Sequence, residues 1–358
     1  MLNKILPLAK KLISIKSTSE NKKELEKVLE TALSYLKEFK IDRFEKKGTK
    51  SALIYNSQYR SSKFKILLNA HLDIIPGKEN QYTPELRKNK LFGVGAMDMK
   101  SSAATLILVF KELADKVNYP LGLQLVTDEE IGGFNGTKYQ IDKGVRADFV
   151  IVGESTNLNI ENKSKGILWC KIFTKGKTAH GAYPWKGENA IWKMNKFLNL
   201  LEKKYPILTQ EKWTTTVNLS KIKASNQTFN KIPADCEIWL DIRYIPKDSV
   251  TIVNDLKKLL PIGFKLNIIL KEPAQLTDKN NRFLRLLQKT TEKITKKRVS
   301  IFSAHGSSDL RHFTRINCAG VEFGPIGKGM GSDNEWVDIK SLDNYAIILK
   351  NFLLSISN

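Results

Sequence analysis

A chain of 358 residues exceeds what one small hydrophobic core organises, so two domains are expected. With 41% hydrophobic and 27% charged residues it has a globular composition, and its longest apolar runs, ATLILVF and AIILKNFLL, stop short of the roughly 18 uninterrupted residues a membrane span needs. The formal charge of +22 invites a nucleic-acid partner, but the lysines are spread over every segment and are not interleaved with aromatics in one patch; a solvated basic surface is expected, with neither nucleic acid nor membrane as partner.

Cys170, Cys236 and Cys318 are odd in number, far apart and without a Cys-x-x-Cys pair, which argues against a disulfide framework and a thiolate zinc site. Any metal must then be held by His, Asp and Glu. The opening MLNKILPLAKKLISI is broken by Lys4, Lys10 and Lys11 and reads as a first helix, which points to the cytoplasm.

A helix is expected from Lys22 to Leu36, where Leu25, Val28, Leu29, Ala32 and Leu36 recur at helical spacing. SALIYN and KILLNAHLD follow as strands. The second ends in a polar loop at His71 and Asp73, a pair that can serve as ligand and orienting partner at a strand's carboxyl end, although His-x-Asp is also common in purely structural settings. Asp98, in GVGAMDMKSS, adds a carboxylate before a helix running to about Val117. LGLQLVTDEEIGG is a strand that stops at Glu129 and Glu130; such a pair can divide into a metal ligand and a general base, or be a solvated acidic turn. ADFVIVGEST repeats the design and ends at Glu154. Strands alternating with helices predict an α/β fold with a mainly parallel sheet and helices on both faces, formed by 1–163 and 274–358. Between them, 164–273 read β-α-β-β-α-β, the order of a ferredoxin-like α+β unit. A helix from Asn280 through Ile294, strands VSIFSA and GVEFGP, and a closing helix from Leu342 complete the first domain.

Taken together, NAHLD, GAMDMK, TDEEIGG and VGES, in this order along nearly the whole chain, resemble the M20 family of metallopeptidases and amidohydrolases, and within it the branch of succinyl-diaminopimelate desuccinylases and acetylornithine deacetylases. The resemblance implies that His71, Asp98 and Glu154 hold one zinc, with cobalt or manganese as alternatives, and that Asp98 bridges to a second ion also bound by Glu130. It makes Glu129 the base and Asp73 the partner that orients His71. In KTAHGAYPWKGENAI it implies that the inserted unit is a lid and dimerisation domain, whose His180 stabilises the oxyanion in the partner subunit's site of a homodimer. Asn230 and Arg243, in NKIPADCEIWLDIR, fall on substrate-binding positions, as do Gly306, Ser307 and Ser308 in HGSSDLRHF. The implied activity is hydrolysis of the amide bond of an N-acyl amino acid or short peptide by metal-activated water.

The chain departs from the family at GPIGKGMGSDNEWV. Asn334, a further expected substrate contact, and Glu335 keep their register, but Gly331 stands where the family has a histidine that binds the second metal. Three outcomes follow: an enzyme with a single zinc, an enzyme whose second metal is weak or completed by another group, or a degenerate member that binds ligands without hydrolysis.

Overall fold

The computed structural model describes residues 1–58 and 63–356, which divide into two compact units. The first comprises Met1–Lys163, Leu276–Phe302 and Ser308–Asn358, the second Ser164–Gln275 and Ser303–Ser307.

Helix α1 (Leu2–Ile13) buries Ile5, Leu8, Ala9, Leu12 and Ile13, one stripe at helical spacing. Helix α2 (Lys22–Leu33) starts where Asn21 accepts the Glu24 amide, and ends three residues before the expected Leu36. Strands β1 (Lys40–Lys46) and β2 (Thr49–Tyr55) form an antiparallel hairpin. The reading of the sequence missed β1, because KIDRFEK is a charged, partly exposed edge strand without a clean alternation. Next come β3 (Lys63–His71), α3 (Ser101–Leu113), β4 (Leu121–Val126) and β5 (Arg146–Val152). All six residues of β4 are buried, as a central parallel strand covered on both faces requires.

The second unit runs β6 (Gly166–Lys175), α4 (Ala190–Lys204), β7 (Thr216–Lys223), β8 (Asp235–Tyr244), α5 (Ile252–Leu259) and β9 (Phe264–Glu272). Its sheet has the order β7-β8-β6-β9 with every pairing antiparallel. Along β8 the residues Cys236, Ile238, Leu240, Ile242 and Tyr244 are buried in strict alternation, in one cluster with Met194, Phe197 and Leu201 of α4 and Ile252 and Leu256 of α5.

The chain then resumes the first unit with α6 (Arg282–Thr295), α7 (Leu310–Thr314), β10 (Ala319–Glu322) and α8 (Ile339–Leu354). Helix α8 begins three residues before the expected Leu342, because the Asp338 carboxylate caps it by accepting the Ser341 amide at 2.7 Å. The central sheet has the order β1-β2-β4-β3-β5-β10, and β4, β3, β5 and β10 pair in parallel. Ile66, Leu68 and Ala70 of β3 join a core with α1, α3, α6 and α8; Leu67 joins a second cluster with Leu310 and Phe313 of α7. The architecture is α/β, with a mainly parallel central sheet and helices on both faces.

Candidate metal centre

Because β4, β3 and β5 are parallel neighbours, the residues just past their carboxyl ends converge. His71 is the last residue of β3, Glu129 and Glu130 follow β4, and Glu154 follows β5. Asp98 comes from the loop before α3. That loop is fastened by Glu335, a 2% exposed carboxylate that accepts the amides of Gly95 at 3.1 Å, Met97 at 2.7 Å and Asp98 at 3.0 Å. Glu335 was not among the expected site residues; its signal in the sequence was the Asn-Glu pair that kept its register.

His71 Nε2 lies 3.0 Å from Asp98 Oδ1 and 3.5 Å from Glu154 Oε1. The ligand atoms of these residues all fall within 4.8 Å of one another. One imidazole nitrogen and two carboxylate oxygens form a donor set that suits zinc. The electrostatics fit a cation as well. Burial, and after it the charge of Asp98, pushes the Glu154 carboxyl well above its ordinary range. Burial opposes a charge on His71, yet Asp73, Asp98 and Glu154 outweigh it and raise its pKa well above the ordinary value.

His71 Nδ1 lies 3.0 Å from the Asp73 carbonyl oxygen and 3.6 Å from Asp73 Oδ1, so the orienting hydrogen bond is made chiefly by the backbone. The Asp73 carboxylate, fully buried, accepts the Glu130 amide at 2.9 Å through Oδ2 and so ties the end of β3 to the acidic turn after β4. Asp73→Asn is expected to weaken metal binding by about 10- to 100-fold in competition with a chelator. Unchanged affinity would leave the backbone carbonyl as the whole of the orienting contact.

Glu129 stands beside the cluster. Burial pushes its carboxyl well above the ordinary range; His71 and Arg311 pull the other way, and Asp309 and Asp73 add to the rise. Arg311 Nη1 is 3.9 Å from Glu129 Oε1, and its guanidinium donates to the carbonyls of Ser308 and Gly132, each at 2.6 Å. Sequence reasoning did not single out Arg311, although HGSSDLRHF contained it. Gly133, at φ +60°, has no room for a side chain, since a Cβ would lie 1.9 Å from Asp309 Oδ1. Gly133 of TDEEIGG thus lets α7 close against the turn that carries Glu129.

The other expected residues have the following surroundings. Glu130 is outside the ligand cluster, with its Oε1 accepting the Ile75 amide at 3.2 Å. Gly331 is exposed at φ +68°. Buried His312 has Nε2 3.0 Å from the Gly132 carbonyl, and His305, in the second unit, has Nε2 3.1 Å from Glu211 Oε1. The Ser308 hydroxyl donates to buried Glu322 and accepts the Leu310 amide at 3.2 Å. Asn334 is exposed.

In the second unit, His180 is exposed and accepts the Ala182 amide on Nδ1 at 3.1 Å, which leaves the neutral ring's proton on Nε2. Asn230 is also exposed, and its carbonyl accepts the Gly181 amide at 2.7 Å. Arg243 is already held in two-pronged fashion by Asp241, Nε to Oδ1 at 2.9 Å and Nη2 to Oδ2 at 3.1 Å. Gly306 is exposed and Ser307 partly buried.

Residues 67–355 match the model of peptidase family M20/M25/M40. The chain belongs to that family. It is similar to the succinyl-diaminopimelate desuccinylase of Pelagibacter ubique, 29% identical over 97% of this chain and 98% of that one. In fold it is similar to the aminopeptidase PepT of Bacillus cereus, with a TM-score of 0.79, 17% identity and coverage of 99% and 98% of the two chains. It is also similar to a dinuclear metal binding M20 peptidase of Bacillus subtilis, with a TM-score of 0.75, 13% identity and coverage of 99% and 97%. This M20 protein is a metal-dependent hydrolase. None of its described helices is long and apolar enough to cross a membrane.

Proposed function

We propose that this M20 hydrolase uses zinc to cleave the amide bond of an N-acyl amino acid, N-succinyl or N-acetyl, or of a short peptide. The observation that carries the reading is the convergence of His71, Asp98 and Glu154, with Glu129 beside them. Desuccinylase relatives over nearly the full chain support an acidic acyl group, and the +22 charge would favour encounter with anionic substrates. Cobalt or manganese could occupy the same oxygen and nitrogen donors.

A single firmly held ion per chain is the form of the site we favour. Gly331 brings no donor, Glu130 Oε1 is engaged with Ile75, and the Nε2 atoms of His312 and His305 are engaged with Gly132 and Glu211.

When bound, the metal supplies Lewis acidity, acidifying water and polarising the scissile carbonyl. Glu129 takes a proton from the attacking water as its oxygen adds to the carbonyl carbon, and returns it to the departing amine as the carbon–nitrogen bond breaks. Arg311 holds Glu129 in place and moderates its basicity. His180, with its proton on Nε2, is suited to donate to the oxyanion of the partner subunit's substrate in a homodimer joined through the second unit. With Nε and Nη2 of Arg243 committed to Asp241, Nη1 remains to meet a substrate carboxylate, and Asn230, Gly306, Ser307 and Asn334 supply polar contacts. Three free thiols fit a cytoplasmic setting.

The test is zinc-dependent hydrolysis of a panel of N-succinyl and N-acetyl amino acids and dipeptides, by the natural protein beside Gly331→His, with zinc counted per chain. The expected result is turnover by the natural protein with a single zinc, and a higher zinc content in Gly331→His. Silence of the natural protein across the panel, with activity in Gly331→His, would instead mark a lapsed enzyme that binds ligands without hydrolysis.

A further inference from the structure

Within the first unit, a cavity of about 390 Å³ opens between the loop that follows Glu154, the end of α6 and the start of α8. Its volume is that of a small-molecule site rather than of a lone ion. Its lining is cationic: Lys297, Arg298 and Lys340 border it, and among the described residues none of them is in an ion pair.

The side-chain acceptors of Asp338, Asn157 and Asn159 in the wall are already engaged. Asp338, its only acidic residue, gives Oδ1 to the Ser341 amide at 2.7 Å and Oδ2 to Asn89 Nδ2 at 3.0 Å. Asn157 Oδ1 accepts the Gly327 amide at 3.2 Å, and Asn159 Oδ1 accepts both the amide and the hydroxyl of Ser300, at 3.0 and 2.8 Å. Each of these two amides therefore has its oxygen engaged, so what it still offers is N–H. With those acceptors engaged and three cations facing a single carboxylate, the lining favours anions.

The loop is also conformationally unusual. Asn157 and Leu158 are consecutive non-glycine residues in the left-handed region, at φ +56° and +60°. They are held there by bonds from their amides to the carbonyls of Pro325 at 3.1 Å and Gly324 at 2.9 Å. Such backbone persists where the surroundings impose it, and it concentrates at functional sites. The same loop starts at Glu154, and Ser155 Oγ donates to the Met97 carbonyl at 2.7 Å, next to Asp98.

We propose that this cavity is an effector site for a small dianion, a phosphorylated metabolite or a dicarboxylate, gripped by Lys297, Arg298 and Lys340 and sensed by the loop that leads from Glu154. It is a second ligand site on the hydrolase, independent of which amide the enzyme cleaves.

The test titrates sodium sulfate and, separately, sodium succinate into the zinc-loaded protein at constant ionic strength by calorimetry, with amide hydrogen exchange to locate binding. One of the two anions is expected to saturate, slowing exchange at 155–159, 297–299 and 338–344. Arg298→Ala/Lys340→Ala should weaken it about tenfold or more, whereas the charge-matched control Lys257→Ala/Lys258→Ala should bind as the natural protein does. Preference for sulfate would point to phosphorylated ligands, and preference for succinate to dicarboxylates. Absence of saturation by both anions, protection confined to other segments, or equal weakening in the control would overturn the proposal.

Discussion

Glu129→Gln is expected to lower kcat by about 10²- to 10⁴-fold, the range contributed by a positioned general base, while metal content and thermal stability stay close to those of the natural protein. The side chain is 14% exposed, lies 3.9 Å from Arg311 and sits in a turn whose Gly133 fits closely beneath α7. An amide of the same shape fills that space but accepts no proton. The expected loss is therefore in kcat more than in KM, since the substitution removes an interaction made as the proton moves. Turnover that survives it would place the base elsewhere in the cluster. A parallel loss of metal would instead recast Glu129 as a ligand, so the metal content must be measured on the same sample.

His71→Ala is expected to have the larger effect on the metal. The imidazole is the only nitrogen donor among His71, Asp98 and Glu154, and it stands between the two carboxylates. Its removal leaves two partly buried acids facing one another with no neutral donor. Zinc affinity should fall by more than the roughly 100-fold that marks the loss of an outer partner such as Asp73. A second readout follows from linkage, because an ion that binds only the folded chain stabilises it by about 2.7 kcal/mol at 100 times its dissociation constant. A chelator should therefore lower the Tm of the natural protein and leave that of His71→Ala where it is. If the two proteins responded alike, the proposed metal centre would be in the wrong place.

Much of this was legible in the chain. The run KILLNAHLD shows an apolar strand giving way to polar chemistry at His71, and LGLQLV and ADFVIV do the same before Glu129 and Glu154, because a buried strand must be apolar along its length while its end, at the sheet's edge, need not be. The β-α-β-β-α-β order between 164 and 273 could be read from changes of hydrophobic period alone.

Other features depended on neighbours far apart in sequence. That β4, β3 and β5 lie side by side, so that the ends carrying Glu129, His71 and Glu154 meet, is a matter of strand pairing, and pairing is set by the packing of whole faces rather than by any local pattern. The same is true of Glu335 fastening the Asp98 loop from 237 residues away, of Arg311 reaching Glu129, and of His312 being committed to Gly132. Periodicity in sequence reports which side of an element is buried; the identity of the atom met there is decided only when distant segments close on one another. Sequence thus determined which residues could do chemistry, and tertiary structure decided which of them share a site, because hydrogen bonds and ion pairs act over a few ångströms in space without regard to separation along the chain.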